Sequence, residues 1–328
     1  MSANLVQATA NATRTLASGS APRSRRGRRW RHRVLTPYAM LAPGIVLFVL
    51  FMMLPIVYTI YLSFQKLQAK GLGLGRGSRT QVFAGLNNYT AALSDPEFVG
   101  SVIRVFLYGL IVIPIMLGLA LLFALLLDSA RARARGFSRV TIFLPYAVPA
   151  VISSLLWGFL YLPGVSPIAY VFTSLGLPAP NPLSPDVVIF AVANIAVWGG
   201  VGFNMIVIYT SLRAIPTDVY EAARIDGASE AQIAMRIKIP IVLPALIMTA
   251  LFSIIATLQV FAEPMVLKPL SNGISSTWTP LMKVYRDAFT RGDIYSAAAT
   301  SVIIAVATFA LSFLFLHFVQ RRAFGQED

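Results

Sequence analysis

The sequence predicts an all-α integral membrane protein of six transmembrane helices with both termini in the cytoplasm, and three observations carry that reading. Of 328 residues, 57% are hydrophobic and 12% charged, with mean hydropathy +0.71, well outside the usual composition of a soluble domain. Six apolar stretches recur along the chain, each about as long as the roughly 20 helical residues that cross a bilayer core. The basic residues are also unevenly placed. Segments that alternate on one side of the six spans hold eighteen Lys and Arg, and those on the other side hold eight, which puts the richer side in the cytoplasm.

In chain order, residues 1–37 form a basic, largely disordered tail. Residues 1–22 are rich in Ser, Ala, Thr and Asn without an apolar period, and then Arg23, Arg25, Arg26, Arg28, Arg29, Arg31 and Arg33 precede the first span as an orientation anchor. The transmembrane domain covers 38–320, with spans at 38–64, 101–127, 140–162, 187–210, 241–262 and 297–319, and 321–328 form a short cytoplasmic tail. Pro43, Pro55, Pro114, Pro145, Pro149 and Pro244 fall within spans and predict kinks in a packed bundle. The long outer segments are 65–100 and 263–296.

Several function classes are excluded. The chain has no cysteine, so it has no disulfide framework, thiolate nucleophile, cysteine zinc site or iron–sulfur cluster; its histidines are His32 and His317. No span presents paired carboxylates, a histidine cluster or a serine with a base, so no catalytic or metal site is expected. The glycine-rich run 71–78 lacks the spacing and the lysine of a phosphate-binding loop. The net charge of +14 is read as cytoplasmic-side arginine rather than a nucleic-acid surface. Ionisable residues near the spans are Arg104, Glu263 and His317, each close enough to an end to reach the interface.

The inner loop 211–240 is helical in pattern yet too polar for lipid. Pro216 suits a first helical turn, and Asp218 and Glu221 favour its positive end. Gly227 can take the left-handed geometry that ends the helix, and Ser229 with Gln232 has capping-box spacing. A second short helix then sets Ile233 and Ile237 on one face and stops before Pro240. Such a helix–Gly–helix element is either a knob that docks into a partner's groove or an amphipathic surface helix.

Glu221-Ala222-Ala223, Gly227, Ile237 and Pro240 stand at the spacing of the EAA loop, and the chain therefore resembles the permease subunits of binding-protein-dependent ABC importers. Asp226 agrees with the commonest form of the motif, while Ile239 stands where leucine is usual. Ala42-Pro43, Ser63-Phe64, the run Phe83 to Tyr89, Phe143-Leu144-Pro145 with Trp157, and Ile215-Pro216 resemble the carbohydrate branch, similar to the maltose or glycerol-3-phosphate systems. The resemblance implies a type I importer permease fold in a bacterial-type cytoplasmic membrane. It implies a second, non-identical permease, two ATPase subunits that hold ATP and Mg, and an extracytoplasmic solute-binding protein docking on 65–100 and 263–296. This chain would then bind no cofactor and catalyse nothing, and Glu221 and Gly227 would make the main contact with the ATPase.

For a carbohydrate cargo, polar and aromatic groups inside apolar spans are the candidate pathway residues: Trp198, Gly200, Asn204, Thr257, Gln259 and Phe261. Gly199 and Gly200 are equally readable as helix-packing positions, and Asn194 and Asn204 as interhelical hydrogen bonders. The alternative function is an ion-coupled secondary transporter or a channel. It would not need the inner knob and would normally carry charge at depth.

Overall fold

A computed structural model describes residues 37–38, 40–69, 79–129 and 132–323. The predicted tail, the 71–78 run and the last five residues lie almost wholly outside them. The chain divides into two compact units at Tyr58, and each is described by itself.

The first span, α1, runs Met40–Ser63. Its turn Val49–Met53 is a π-helix, a widening that places slack ahead of Pro55, whose ring would otherwise press on the preceding turn. From Thr59 onward the chain continues as a hairpin of β1 (Gln65–Ala69) and β2 (Arg79–Phe83), then α2 (Asn87–Ser94) and the long α3 (Pro96–Asp128). The hairpin is antiparallel, with Gln65 opposite Phe83 and Ala69 opposite Arg79. It replaces what the sequence reads as the start of a plain outer loop. The run Phe83 to Tyr89 explains its placement. Gly85 has φ +56°, Asn88 Nδ2 donates to the carbonyls of Ser63 (2.8 Å) and Gln65 (2.7 Å), and Tyr89 Oη lies 2.6 Å from Ser63 Oγ. These bonds splice the hairpin onto the end of α1.

The third predicted span is not one helix. It comprises α4 (Arg135–Phe143), a 3-10 turn Leu144–Ala147, and α5 (Ala150–Tyr161), bent by 97°. Pro149 pushes Val148 out of the helical region to φ −83°, ψ 125°, and that residue makes the break. After the short α6 (Pro167–Ser174) come α7 (Val188–Arg213), α8 (Thr217–Ile225) and α9 (Glu230–Ile233). The expected stop before Pro240 does not occur. α9 passes through a π turn, Ala234–Lys238, straight into α10 (Ile239–Leu258), because the wider turn accommodates the proline ring that would break an ordinary helix. α11 (Ala262–Leu267), α12 (Pro280–Tyr285), a π turn Arg286–Thr290 and α13 (Ile294–Ala323) complete the chain. Among the described residues five helices are long and apolar enough to cross a membrane, and the bent pair supplies a sixth span.

The core forms around α3 against α7. Val105, Tyr108, Val112, Met116, Ala120 and Ala124 lie on one face of α3, at helical spacing, and are buried. They meet Val192, Ile195, Met205 and Ile208 of α7. In lipid, apolar burial does not drive helices together, so small residues that permit close packing matter most. At Gly202 of α7 the backbone approaches the Ile142 carbonyl so closely that a β-carbon would overlap it.

Outside the core, an ion-pair network joins the start of α3 to the segment around α12. Lys283 pairs with Asp95 at 3.0 Å and Asp287 at 2.6 Å, and Arg286 pairs with Glu97 at 2.7 Å and Asp287 at 2.9 Å. Burial alone would raise the Asp95 carboxyl, but hydrogen bonds from Lys283 and the Glu97 amide, with the charges of Lys283 and Arg286, hold it below its usual value. Arg104 donates to the Trp278 carbonyl at 2.8 Å.

Candidate functional site: a transmembrane cleft and an exposed knob

Two breaks in helical backbone meet at one cleft. Pro145, Val148 and Pro149 from the bend, and Gln259, Val260 and Phe261 from the gap between α10 and α11, line a cavity of about 850 Å³ with Tyr108, Met116, Gly200, Asn204, Ser253, Thr257 and Glu263. Non-helical backbone at membrane depth is tolerated where it lines a cavity or is buried in protein. The bundle therefore places its irregular backbone where a solute could pass.

Five of the six predicted pathway residues, Gly200, Asn204, Thr257, Gln259 and Phe261, line this cleft. Trp198 does not. It packs edge-on against Trp157, with ring centroids 5.9 Å apart, because its position on α7 faces α5. Met116 Sδ occupies the space left by Gly200, and Asn204 Nδ2 donates to Met116 Sδ (3.1 Å) and to the Gly200 carbonyl (3.0 Å). Asn204 Oδ1 is buried without a partner. Asn194, by contrast, bridges helices: its Nδ2 donates to Tyr161 Oη at 2.9 Å.

The inner loop folds as its caps dictate. Gly227, at φ +79°, ends α8, with its N–H donating to the Arg224 carbonyl and that of Ala228 to the Ala223 carbonyl, the paired bonds of a Schellman cap. Ser229 N donates to Gln232 Oε1 at 2.7 Å while Gln232 N donates to Ser229 Oγ at 3.3 Å, closing the capping box. Pro216 caps α8 one residue earlier than expected, so the helix starts at Thr217. Glu221, Ala222, Asp226 and Gly227 are exposed, Ala223 and Ile237 half-buried, and Pro240 exposed. Ile225 is 86% exposed at the tip. Arg224 pairs with Glu230 at 3.0 Å, which leaves the Glu221 carboxylate without a cation among the described residues.

Residues 120–324 match the family described as binding-protein-dependent transport system inner membrane component. The chain belongs to that family. The sn-glycerol-3-phosphate transport system permease proteins of Agrobacterium fabrum and Brucella abortus are 30% and 31% identical to it, each over 88% of this chain and 96% of the relative. The Escherichia coli O157:H7 protein of that name is 27% identical over 87% and 94%. Two solved structures share the fold. A bacterial alginate ABC transporter in complex with an alginate pentasaccharide-bound periplasmic protein gives TM-score 0.75 at 19% identity, covering 89% of this chain and 96% of that one. A bacterial ABC transporter involved in the import of alginate gives 0.73 at 20%, covering 90% and 99%. This permease is thus a multi-pass inner-membrane protein with the importer fold.

Two functional features of the permease escape sequence reasoning. Lys238 Nζ lies 2.6 Å from Asp128 Oδ2, with side chains 8% and 3% exposed, and 4.8 Å from the Tyr220 ring centroid. This buried pair fastens the knob and the start of α10 to the C-terminal end of α3. A hint was available in Lys238 standing four residues before apolar Val242, but its partner lies 110 positions away. Glu263, read from sequence as near a span end, lines the cleft. It sits in the first turn of α11, where the helix dipole favours an anion.

Proposed function

We propose that this permease forms one half of an alternating-access pathway in an ATP-driven importer. A second, non-identical permease forms the other half, two ATPase subunits carry ATP and Mg, and a solute-binding protein delivers a sugar or related polyol to the outer segments. The chain itself holds no cofactor and performs no covalent chemistry. The observation that carries this reading is the knob. The turn between its two helices is capped from both sides, its apolar tip and Glu221 are exposed, and the buried Lys238–Asp128 pair connects it rigidly to a helix lining the cleft. A rigid exposed element between two spans suits transmission of a partner's motion. The excess of basic residues supports a cytoplasmic position for it, where ATP is available. The cleft supports the cargo class with hydroxyl and amide groups of Tyr108, Ser253, Thr257, Asn204 and Gln259 beside Phe203 and Phe261. The names of the relatives and of the solved neighbours, which concern glycerol 3-phosphate and alginate, point to polyhydroxylated cargo as well.

The test is copurification. The tagged permease expressed with its transporter partners is expected to recover a second permease and an ATPase. Gly227→Asp puts a β-carbon in a left-handed position and a charge on the exposed turn. It is expected to cut ATPase recovery about tenfold, a loss of roughly 1.4 kcal/mol of association free energy, without losing the second permease. A solitary chain in both preparations would contradict the importer reading.

A further inference from the structure

The cleft sets one acidic side chain, Glu263, among neutral polar groups that include Tyr108, Asn204, Thr257 and Gln259. Asn204 is 4% exposed, both amide hydrogens of its Nδ2 are directed to Met116 Sδ and the Gly200 carbonyl, and its Oδ1 has no donor. Glu263, on the same cleft, has no cationic partner among the described residues, and no Lys, Arg or His lines the cavity. The nearest candidate cation in sequence, Lys268, is outside the lining, and Arg104 is held by the Trp278 carbonyl. Hydroxyls that could donate are already engaged in part: Ser153 Oγ donates to the Ala150 carbonyl and Ser253 Oγ to Met116 Sδ.

Resting on the cargo class proposed above, we infer that Glu263 is a specificity-determining residue: its carboxylate bars anionic cargo from this half of the pathway and favours an uncharged, hydroxyl-rich ligand. A phosphate or carboxylate entering the cleft brings acceptors only. It would meet the Glu263 carboxylate, which has no cation beside it in the cleft. A neutral sugar brings a donor with every hydroxyl. The cargo this permease passes therefore differs in charge from the phosphate ester and the acidic polysaccharide in the names of its relatives and solved neighbours.

The experiment uses the complete transporter in lipid nanodiscs without binding protein, so that the membrane cleft alone selects. Competition binding is measured for matched pairs, trehalose against trehalose 6-phosphate and sucrose against sucrose 6-phosphate, with trehalosamine as the cationic member. The neutral sugar is expected to bind at least about tenfold more tightly than its phosphate. Tenfold corresponds to two unit charges about 12 Å apart at an effective dielectric of about 20, so a closer approach gives a larger ratio. Glu263→Gln is expected to shrink that ratio to within about threefold, and Glu263→Asp, which keeps the charge, to retain most of it. Equal or tighter binding of the phosphates to the native complex, or an unchanged ratio in Glu263→Gln, would overturn the inference. So would preference for trehalosamine over trehalose, which would assign Glu263 an ammonium partner. Failure of every sugar, charged or neutral, to bind would instead strike the cargo class itself.

Discussion

Asp128→Asn is expected to destabilise the permease by about 3–5 kcal/mol, the usual cost of stranding one charge of a buried pair. Lys238 is 8% exposed on its side chain, and its remaining neighbour of opposite polarity is the face of Tyr220, 4.8 Å away. A ring face offers an ammonium group about 0.5–2 kcal/mol, too little to replace a carboxylate at 2.6 Å. Lys238→Met should cost a comparable amount by stranding Asp128. The double variant Asp128→Leu with Lys238→Met should recover most of the loss, since apolar replacements of a buried pair are often neutral or stabilising. Thermal unfolding of the purified complex in nanodiscs reads all three. Two single variants within about 0.5 kcal/mol of native, the range of ordinary surface changes, would show that the pair does not fasten the C-terminal end of α3 to the start of α10.

Gly202→Val is expected to be the most damaging of the glycine substitutions on α7, at about 3 kcal/mol or more of overpacking. A β-carbon there meets the Ile142 carbonyl and lies 2.7 Å from Phe143 Cα. Both are backbone atoms of the segment entering the 97° bend, so relief requires moving the bend and with it the cleft wall. Gly200→Ala meets only the mobile end of Met116, at 2.6 Å, and is expected to cost less while releasing the Asn204 amide. Gly199→Ala meets nothing within 4 Å and should be neutral or stabilising by up to about 1 kcal/mol through helix propensity. Thermal stability and transport in proteoliposomes should fall in the order Gly199, Gly200, Gly202. Equal behaviour of the three would contradict the close α4–α7 approach.

Local chemistry made much of this legible in the sequence. The spans follow from apolar length, and the knob from Gly227, Ser229 and Gln232, whose caps act within a few residues. The proline signals marked the bend, because Pro149 constrains Val148 directly, although its angle depends on how closely Gly202 lets α7 approach. The hairpin was not legible. Gln65–Ala69 and Arg79–Phe83 have no strong strand pattern, and their pairing is fixed by Asn88 and Tyr89 holding Ser63 and Gln65 from a later helix. The ion pairs were equally hidden, since Asp128 with Lys238 and Glu97 with Arg286 meet only after the bundle forms. The pathway residues chosen for polarity mostly reached the cleft. Trp198 missed it because polarity and size do not reveal which way a residue faces on a helix that is apolar all round.

The most direct measurement of the account exploits the absence of cysteine. Ile225→Cys places the chain's sole thiol on the exposed tip of the knob, where a photo-crosslinking maleimide can be attached in the assembled transporter. The account predicts that illumination joins this position to the ATPase subunit, and that the Gly227→Asp change in the same chain removes the crosslink. Crosslinks confined to lipid or to the second permease would contradict the knob as the point where ATP-driven motion enters the membrane.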